Sequence, residues 1–388
     1  MTKGIHAGVG GTVRKSKPYV GVGGVVKKVK KVFVGIGGLP RLAYSAGISY
    51  KGIITPLSNY KYRQHTAGSN SNFAIFVGGA VESATAQNDA VTAYDTNLTR
   101  STPDGTGSGY ALRAFASIGN YAIFMGGRIQ NVVIASSTIY DGVLTKSNLA
   151  AIPTAVQLAA GAKSANHAII AGGTTSVAYW NTATSGAYAF DAVLNRTGLS
   201  VRRAKTAMAG ASVGGNAIFA GGVATLSGTI INEVDIFNAS LTRSDGVVLD
   251  DINYWMASGS TSMYAWFAGG KVSTSDSSNK KVYAYDSSLV KHVTSELLTH
   301  TTAAPRTPAV AAFNDYIIFA GQSNEDPLFS ADIDVYDNYL VRQRDIPNLS
   351  EAVIGIQGTS IGNYALFAGG QGDTTNSDRG LVVEAYSI

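Results

Sequence analysis

The stretch Asn216-Ala-Ile-Phe-Ala-Gly-Gly222 is one of seven places where an apolar segment runs into a glycine pair or its near equivalent. The first glycines of these motifs are separated by 48, 46, 49, 48, 52 and 48 residues. The other six are Phe76-Val-Gly-Gly79, Phe124-Met-Gly-Gly127, Ile170-Ala-Gly-Gly173, Phe267-Ala-Gly-Gly270, Phe319-Ala-Gly-Gln322 and Phe367-Ala-Gly-Gly370. A glycine pair at a period near 50 indicates one structural unit repeated seven times.

Each unit is interpreted as four strands, called a to d. Strand a alternates, as in 111–118, and strand b is almost wholly apolar, which is typical of a strand buried on both faces. The glycine pair ends strand b, where positive φ or close backbone approach is needed. Strand c ends in an aromatic residue followed by an acid or amide, as in Tyr94-Asp95, and a leucine such as Leu98 opens strand d. We expect this Asp or Asn to close a tight turn through its side chain.

The seventh unit reaches Ile388 just after its strand c, so it has no strand d of its own. An extended segment, residues 48–56, stands before the first unit without strands a to c in front of it. We predict that this segment supplies the missing outer strand of the last unit and closes the ring, which would remove an exposed sheet edge. The predicted fold is all-β, a seven-bladed β-propeller over residues 46–388.

This part of the chain resembles kelch proteins. The matching features are the glycine pair after strand b and a Tyr or Phe about 14–18 residues later. The chain departs from the kelch pattern because it lacks the Trp that usually follows that aromatic residue. The resemblance implies the propeller fold and no particular partner.

A second, shorter repeat lies at the N-terminus. It reads Gly8-Val-Gly-Gly11-Thr-Val-Arg-Lys15, then Gly21-Val-Gly-Gly24-Val-Val-Lys-Lys28, then Gly35-Ile-Gly-Gly38-Leu-Pro-Arg41. Three such units are too small and glycine-rich to bury a core of their own. We therefore separate residues 1–45 as a basic, extended β-rich segment that is either disordered or adds to the strand edges of another protein.

Charge sets this segment apart. Residues 1–45 contain nine Lys or Arg and no Asp or Glu, and the rest of the chain carries a net charge of −4, against +5 for the whole. Such a segment could be a solvated basic tail or could touch nucleic acid through phosphates. The interleaved valines and glycines favour docking to a protein, because a simple polyelectrolyte arm does not need them.

The Gly-Val-Gly-Gly and Lys-Lys repeat resembles N-terminal modules of tail-associated structural proteins from phages and prophages of Gram-positive bacteria. The resemblance covers about 40 residues and implies that residues 1–45 dock to other virion or tail proteins in many copies. The residues expected to dock are Val22, Lys27, Lys28, Lys30, Lys31, Phe33 and Arg41.

Composition excludes several classes of site. The chain has no cysteine, so disulfides, thiolate metal sites and cysteine nucleophiles are excluded. No apolar run reaches the ~18 residues of a membrane span, and the N-terminus has no signal-peptide core. We expect the protein to be made in a host cytoplasm and to reach the outside within a virion.

No catalytic or metal motif stands out, so we predict a protein that is not an enzyme and needs no cofactor or metal. The five histidines lack metal-ligand spacing, and His167 occupies a turn position before strand b. The glycine-rich stretches are not phosphate loops, because no Gly-Lys-Ser/Thr follows them. Alternation places Asp332 and Asp334 on one strand face, interpreted as solvated.

The remaining candidate surface is the ring of b–c loops, because loops on a rigid scaffold are where recognition concentrates. Tyr179-Trp180-Asn181 could stack on a sugar ring and bond its hydroxyls, or Trp180 could pack over a neighbouring blade. Other residues could line the same rim or be solvated loop residues: Arg128, Gln130, Asn324, Glu325, Asp326, Asp373 and Arg379.

Together these features predict a virion or phage-tail structural protein whose propeller adheres to a host-surface glycan or protein, or decorates the particle, through avidity. An intracellular kelch-like interaction scaffold is the alternative. A glycan-active enzyme would require carboxylates in the central channel, and the sequence singles out none.

Overall fold

A computed structural model of the chain divides it into two units, Met1–Ser49 together with Ile388, and Tyr50–Ser387. The structure describes the backbone of the strands between residues 5 and 45 and both backbone and side chains from residue 47 onward. The exceptions after residue 47 are 60–62, 81–86, 179–181, 225–227, 274–278, 295–307, 322–328 and 373–376, and the side chains of 377 and 378.

The first unit contains three antiparallel β-hairpins. Their strands are β1 (Ile5–Val9) with β2 (Thr12–Ser16), β3 (Tyr19–Val22) with β4 (Val25–Lys28), and β5 (Lys31–Ile36) with β6 (Leu39–Ser45). The register of the third hairpin shifts between Val32 and Phe33. Each hairpin corresponds to one Gly-Val-Gly-Gly or Gly-Ile-Gly-Gly repeat, because the two strands flank the glycine pair of that repeat.

Within its described residues, the second unit contains seven four-stranded antiparallel sheets, and the strands of each sheet are named in the order in which they pair. An additional strand, β7 (Ser49–Ile53), precedes them in the chain. Sheet 1 is β8 (Thr66–Ser69), β9 (Ala74–Val77), β10 (Val91–Tyr94) and β11 (Arg100–Ser101). Sheet 2 is β12 (Ala114–Ile118), β13 (Tyr121–Met125), β16 (Ser137–Tyr140) and β17 (Lys146–Leu149). Sheet 3 is β18 (Ala160–Lys163), β19 (Ala168–Ala171), β20 (Gly186–Phe190) and β21 (Arg196–Ser200).

The remaining sheets follow the same order. Sheet 4 is β23 (Ala209–Val213), β24 (Asn216–Ala220), β27 (Val234–Phe237) and β28 (Arg243–Asp245). Sheet 5 is β29 (Ala257–Ser260), β30 (Tyr264–Ala268), β31 (Val282–Asp286) and β32 (Lys291–Val293). Sheet 6 is β33 (Ala309–Phe313), β34 (Tyr316–Ala320), β35 (Ile333–Asp337) and β36 (Arg342–Gln343). Sheet 7 is β38 (Gln357–Ile361), β39 (Tyr364–Ala368), β41 (Val383–Ser387) and β7.

Short strands pair outside these sheets, and one 3₁₀ turn spans Ser377–Leu381. The short strands are β14 (Arg128–Ile129) with β15 (Val132–Val133), β22 (Lys205–Thr206) with β25 (Val223–Ala224) and β26 (Thr229–Ile230), and β37 (Val353–Ile354) with β40 (Gln371–Gly372). Among the described residues, no helix is long and apolar enough to cross a membrane.

The fourth strand of sheet 7 comes from the segment that precedes sheet 1, as expected for residues 48–56. β7 lies beside β41, and the pairing continues past it, because the Ile54 N–H donates to the Val383 carbonyl at 2.9 Å. The Leu57 N–H likewise donates to the Leu381 carbonyl at 2.8 Å. The last described strand of the chain is therefore paired with a strand from near the start of the second unit.

Burial follows the predicted strand pattern. Strand b of the first sheet, β9, is buried at every position, whereas strand a of the second, β12, alternates between buried and half-buried residues. Strand b is buried on both faces because neighbouring sheets pack against each other, and the hydrophobic clusters combine residues of adjacent sheets. One such cluster joins Phe76 and Tyr94 of sheet 1 to Leu366 and Ala385 of sheet 7.

The glycine pairs end strand b as predicted. In sheet 2, Gly126 and Gly127 have φ of 63° and 96°, which favours glycine at both positions. A Cβ on Gly126 would lie 2.3 Å from the Val156 carbonyl oxygen, and the Gly127 N–H donates to that oxygen at 2.7 Å. The pair therefore provides a turn and a close backbone contact with the connector that leads to sheet 3.

The predicted side-chain closure of the c–d turn is confirmed. In sheet 1, Asp95 Oδ1 accepts hydrogen bonds from the Asn97 and Thr99 N–H groups, both at 2.8 Å. Asp141, Asp191, Asn238, Asp286 and Asp337 make the same pair of bonds in sheets 2 to 6. The leucine expected to open strand d lies instead within the turn, with positive φ in all six turns, as at Leu98 with φ of 63° two residues before β11.

Asp334 was expected on a solvated face and is instead fully buried, while Asp332 is half-buried. Arg342 Nη2 lies 2.6 Å from Asp334 Oδ1. The equivalent residue of strand c in sheet 4, Asp235, lies 2.6 Å from the buried Lys205 ammonium. This position faces the adjoining strand or connector, which supplies a cation, so alternation identified the shared face correctly but not its burial.

Candidate functional site

The candidate site lies at the end of the sheets from which the b–c loops emerge. The residue after each described glycine pair forms a bridge or a short ladder with the residue that stands three positions before strand a. These backbone pairs are Ala80 with Arg63, Arg128 with Ala111, Thr174 with Gln157, Val223 with Thr206, Lys271 with Tyr254, and Gln371 with Ile354. Two side chains per sheet are thereby held at this end.

The residue that stands two positions before strand a, directly after the bridge residue of each connector, is a non-glycine residue with positive φ in five sheets. Gln64, Leu112, Leu158, Ala207 and Trp255 have φ between 54° and 58°. The Leu112 N–H donates to the Gln64 carbonyl at 3.0 Å, and the Trp255 N–H donates to the Ala207 carbonyl at 2.9 Å. These bonds join the equivalent residues of neighbouring sheets, so the backbone beside these side chains is held by hydrogen bonds between sheets.

Arginine and glutamine side chains connect sheets 7, 1 and 2 at this end. Arg63 Nη2 donates to Gln371 Oε1 at 2.8 Å, and Arg128 Nη2 donates to Gln64 Oε1 at 2.9 Å. We call Arg63, Gln64, Arg128 and Gln371 the polar arc. Charge-assisted hydrogen bonds of this kind hold the guanidinium groups in fixed orientations.

Two residues beside the polar arc extend it into the loops. The exposed Gln130 donates its backbone N–H to Gln87 Oε1 at 2.9 Å. Gln130 has φ of 51° at the turn of the β14–β15 hairpin, which carries its side chain outward. Amide side chains in such positions can donate and accept hydrogen bonds at once.

Sheet 5 contributes aromatic side chains and a cation to the same end. The rings of Tyr254 and Trp255 lie 5.2 Å apart, and the Lys271 ammonium lies 5.6 Å from the Trp255 ring centre. We call these three residues the aromatic cluster. Lys271 is 8% exposed, so the cation–π contact is partly desolvated, which strengthens it.

A buried arginine, Arg113, follows Leu112 and bonds its connector to sheet 2. Arg113 Nη2 donates to the Phe124 carbonyl at 2.5 Å and the Ser136 carbonyl at 3.2 Å, and the Tyr110 ring lies 4.5 Å from its guanidinium carbon. Burial lowers the pKa of Arg113 to about 10. It remains a cation at neutral pH and fixes the connector that carries Leu112.

The structure places the expected rim residues differently from one another. Arg128 belongs to the polar arc but is 7% exposed, and Gln130 is exposed beside it. Arg379 was expected at the rim and is instead 1% exposed, with Nη2 3.2 Å from the buried Glu384 carboxylate. Tyr179, Trp180, Asn181, Asn324, Glu325, Asp326 and Asp373 lie outside the described residues.

The residues expected to dock fall mainly in the hairpins of the first unit. The strands β3 to β6 contain Val22, Lys27, Lys28, Lys31, Phe33 and Arg41, and Lys30 lies outside the described residues. In β4, Lys27 and Lys28 pair with Val20 and Tyr19 of β3. The predicted extended conformation of these positions is thus that of paired strands.

Sequence reasoning missed Arg63, Gln64, Gln371 and the aromatic cluster. A local signal existed, because the residue after the glycine pair has the same structural position in every unit, and it is Arg128, Lys271 or Gln371 in three of them. The pairing itself had no local signal, since Arg63 and Gln371 are 308 positions apart in the chain.

The described residues at this end can form hydrogen bonds and stack on rings. The seven first strands, which would line a central channel, contain no Asp or Glu. Within the described residues, no group of three or more His, Asp or Glu side chains is placed to hold a metal ion. Guanidinium, amide and indole groups suit the recognition of a polar ligand such as a sugar or a peptide.

Comparison with known proteins supports the fold alone. No protein-family model matches the chain, and no curated protein matches it. A solved structure titled "Structure of YjhT" is similar, with a TM-score of 0.54 and 14% sequence identity over 71% of this chain and 93% of that chain. YjhT is a propeller-like protein, so the second unit has a propeller-like all-β fold.

Proposed function

We propose that the second unit is a closed, seven-bladed, kelch-like β-propeller that presents a recognition surface, and that residues 1–45 dock it to a phage-type particle. In this function the protein is a structural component of a virion or tail, and the b–c loop end binds a glycan or protein of the host surface. Many docked copies would give avidity even if each binds weakly. The protein has no catalytic role in this proposal.

Closure of the ring is supported by contacts between sheets 7 and 1. His65 Nε2 lies 3.1 Å from the Ala368 carbonyl, and Arg63 donates to Gln371. The shared hydrophobic cluster of these two sheets adds apolar contact, and β7 completes the strand count of sheet 7. A closed ring leaves no sheet with an unpacked face, which is the arrangement that a propeller requires.

The observation that carries the proposal is the set of polar and aromatic side chains held at the b–c loop end. The polar arc and the aromatic cluster come from four sheets, and their backbones are fixed by bonds between sheets rather than by the loops alone. Preorganised polar and aromatic groups bind a ligand with little loss of conformational entropy. The b–c loops follow the glycine pairs in the chain, and loops carried by a rigid scaffold commonly supply specificity.

Docking through residues 1–45 is supported by the hairpins. Three consecutive two-stranded sheets with basic, Val-rich strands have edges that can pair with strands of another protein. An isolated two-stranded hairpin is only marginally stable in water, so a partner surface would stabilise these elements. The resemblance of the repeat to phage tail modules implies that this partner surface belongs to a particle.

Docking is tested by comparing the full chain with a 46–388 truncation, measuring the mass of each in solution and their binding to purified tail or virion proteins. We expect the full chain to associate and the truncation to remain a folded monomer. Identical monomers that both fail to bind particle proteins would refute docking and favour an intracellular scaffold.

Recognition is tested by binding the full chain to isolated Gram-positive cell walls, with Trp255→Ala and Gln130→Ala as variants. We expect weaker binding by both, because each removes a group of the b–c loop end. The matched control is Val193→Ala, a change in an exposed c–d turn at the other end of the sheets. Equal binding by all variants would refute the assignment of this end as the recognition surface.

A further inference from the structure

A hollow of about 490 Å³ lies at the other end of the sheets, where the a–b and c–d turns meet. In an antiparallel sheet, the a–b and c–d turns lie at one end of the strands and the b–c loops at the other. The hollow is lined by Asn72 from sheet 1, Asn120, Tyr121 and Val143 from sheet 2, and Ala192 from sheet 3. Its size is within the range of small-molecule sites in proteins.

The walls of the hollow are held by hydrogen bonds between the turns of neighbouring sheets. Asn72 Nδ2 donates to the Gly142 carbonyl at 2.8 Å, and Ser71 Oγ donates to Asn120 Oδ1 at 2.6 Å. Asn70 Nδ2 donates to the Asp141 carbonyl at 2.8 Å from the same a–b turn. The two asparagines are thereby oriented before any ligand arrives.

Each of these exposed asparagines uses one polar atom of its side chain in these bonds, and within the described part of the chain the other polar atom has no protein partner. Asn72 retains its Oδ1 acceptor, and Asn120 retains its Nδ2 donors. Val143 is 77% exposed, and together with Ala192 and the half-buried Tyr121 ring it provides apolar surface. The lining thus combines amide groups with aromatic and aliphatic surface.

The charges of the residues that line the hollow limit which class of ligand fits it. The lining contains no Lys, Arg or His, and its one acid, Asp141, uses Oδ1 to accept the Val143 and Thr145 N–H groups at 3.0 and 2.8 Å. A neutral ligand with an apolar face and several hydroxyls fits this lining, because its C–H groups can pack on Tyr121 while its hydroxyls bond the amides. We propose that the hollow is a binding site for a neutral saccharide, separate from the b–c loop end.

Val193 is a control position for Val143. It distinguishes an effect of the hollow from an effect of the c–d turn in which both residues lie. Val193 is 76% exposed in the c–d turn of sheet 3, where Asp191 Oδ1 accepts the Val193 and Asn195 N–H groups at 3.0 and 2.8 Å. Val193 therefore has the same turn geometry and exposure as Val143 but is not among the residues that line the hollow. Val193 therefore serves as a control for a substitution in the same type of turn, at a position that follows the lining residue Ala192 but does not itself line the hollow.

The test is saturation-transfer NMR of the full chain with glucose, galactose and N-acetylglucosamine as separate probes. We expect at least one probe to bind, with a Kd of ~1 mM. Val143→Arg places a long cation in the hollow and should weaken binding by about tenfold or more, a loss of ~1.4 kcal/mol. Val193→Arg should bind as the wild type does.

Thermal unfolding of both variants separates lost binding from lost fold, because both positions are exposed and should tolerate arginine. Trp255→Ala should leave this binding intact, which distinguishes it from recognition at the b–c loop end. The proposal is overturned if no probe binds the wild-type chain, or if Val143→Arg and Val193→Arg bind equally well.

Discussion

Gly161→Ala tests how closely the first strands of neighbouring sheets approach each other. Gly161 lies in β18 of sheet 3, and a Cβ at this position would be 1.7 Å from the Phe115 carbonyl oxygen in β12 of sheet 2. Ordinary contacts of a Cβ are 3.4–4 Å. The opposing atom belongs to the backbone, so the clash cannot be relieved by rotating a side chain. The two strands would have to separate instead.

The expected cost is at the upper end of the range for overpacking, about 3 kcal/mol. Each kcal/mol shifts the unfolding midpoint by about 2–4 °C in domains of 150–250 residues, and less in larger ones, so a decrease of about 5–10 °C is expected. Circular dichroism of the full chain during heating measures this shift.

Gly198→Ala is the matched control. Gly198 lies in the outer strand β21 of the same sheet, and a Cβ there meets nothing within 4 Å. Its midpoint should remain close to that of the wild type, since exposed substitutions usually change stability by about ±0.5 kcal/mol or less. If Gly161→Ala and Gly198→Ala melt together, the close packing of β12 against β18 is wrong.

Three further changes test other features. Asp235 pairs with the buried Lys205 ammonium and, at 2.8 Å, with the Arg243 guanidinium, whose side chain is 31% exposed. Asp235→Asn leaves the buried ammonium beside a neutral group and should cost about 3–5 kcal/mol in urea unfolding, whereas combining it with Lys205→Met removes the buried cation and should recover most of that loss. Burial, and then the Glu384 carboxylate, raises the pKa of Tyr50 to about 12 from its ordinary value of 10.0. The contribution of the neutral Tyr50 hydroxyl to folding stability is therefore fully present below about pH 10 and is lost as pH rises through the folded pKa. The difference in the free energy of unfolding between wild type and Tyr50→Phe should therefore be constant below pH 10 and shrink towards pH 12. A constant difference up to pH 12 would contradict the raised pKa of Tyr50. Asn238→Ala removes the two side-chain bonds of one c–d turn and should cost about 1 kcal/mol in urea unfolding, while an unchanged midpoint would show that the turn needs no side-chain closure.

Features set by neighbouring residues in the chain were predictable from sequence. The apolar run 216–220, its glycine pair and the Asn238 turn each depend on backbone conformation and on burial that recurs in every unit. The outer strand contributed by residues 48–56 was also predictable, because a count of strands in each unit left one missing in the seventh. Repetition made these signals strong, since each was seen several times.

The side chains at the candidate site were less predictable because their partners lie in other units. Arg128 was selected, but its bond to Gln64 joins residues 64 positions apart, and no spacing in the sequence relates them. Arg379 was misplaced because a cation in a polar loop normally suggests exposure, whereas this loop contains a 3₁₀ turn that carries it to Glu384. A buried partner cannot be inferred from a pattern of polar residues alone.

The strand that completes sheet 7 also connects the second unit to residues 1–45. Tyr50 of this strand donates to Glu384 Oε2 at 2.9 Å. Glu384 is fully buried, and it also pairs with Arg379 and accepts hydrogen bonds from the Ser350 N–H and hydroxyl. Removing β7 would leave a buried carboxylate with one partner fewer, which is costly in a low-dielectric interior. If the second unit is a closed ring and residues 1–45 dock to a particle, both as proposed, a pull on the docking segment would act first on β7. Anchoring and ring closure would then be coupled, because such a pull loads the contacts that complete sheet 7.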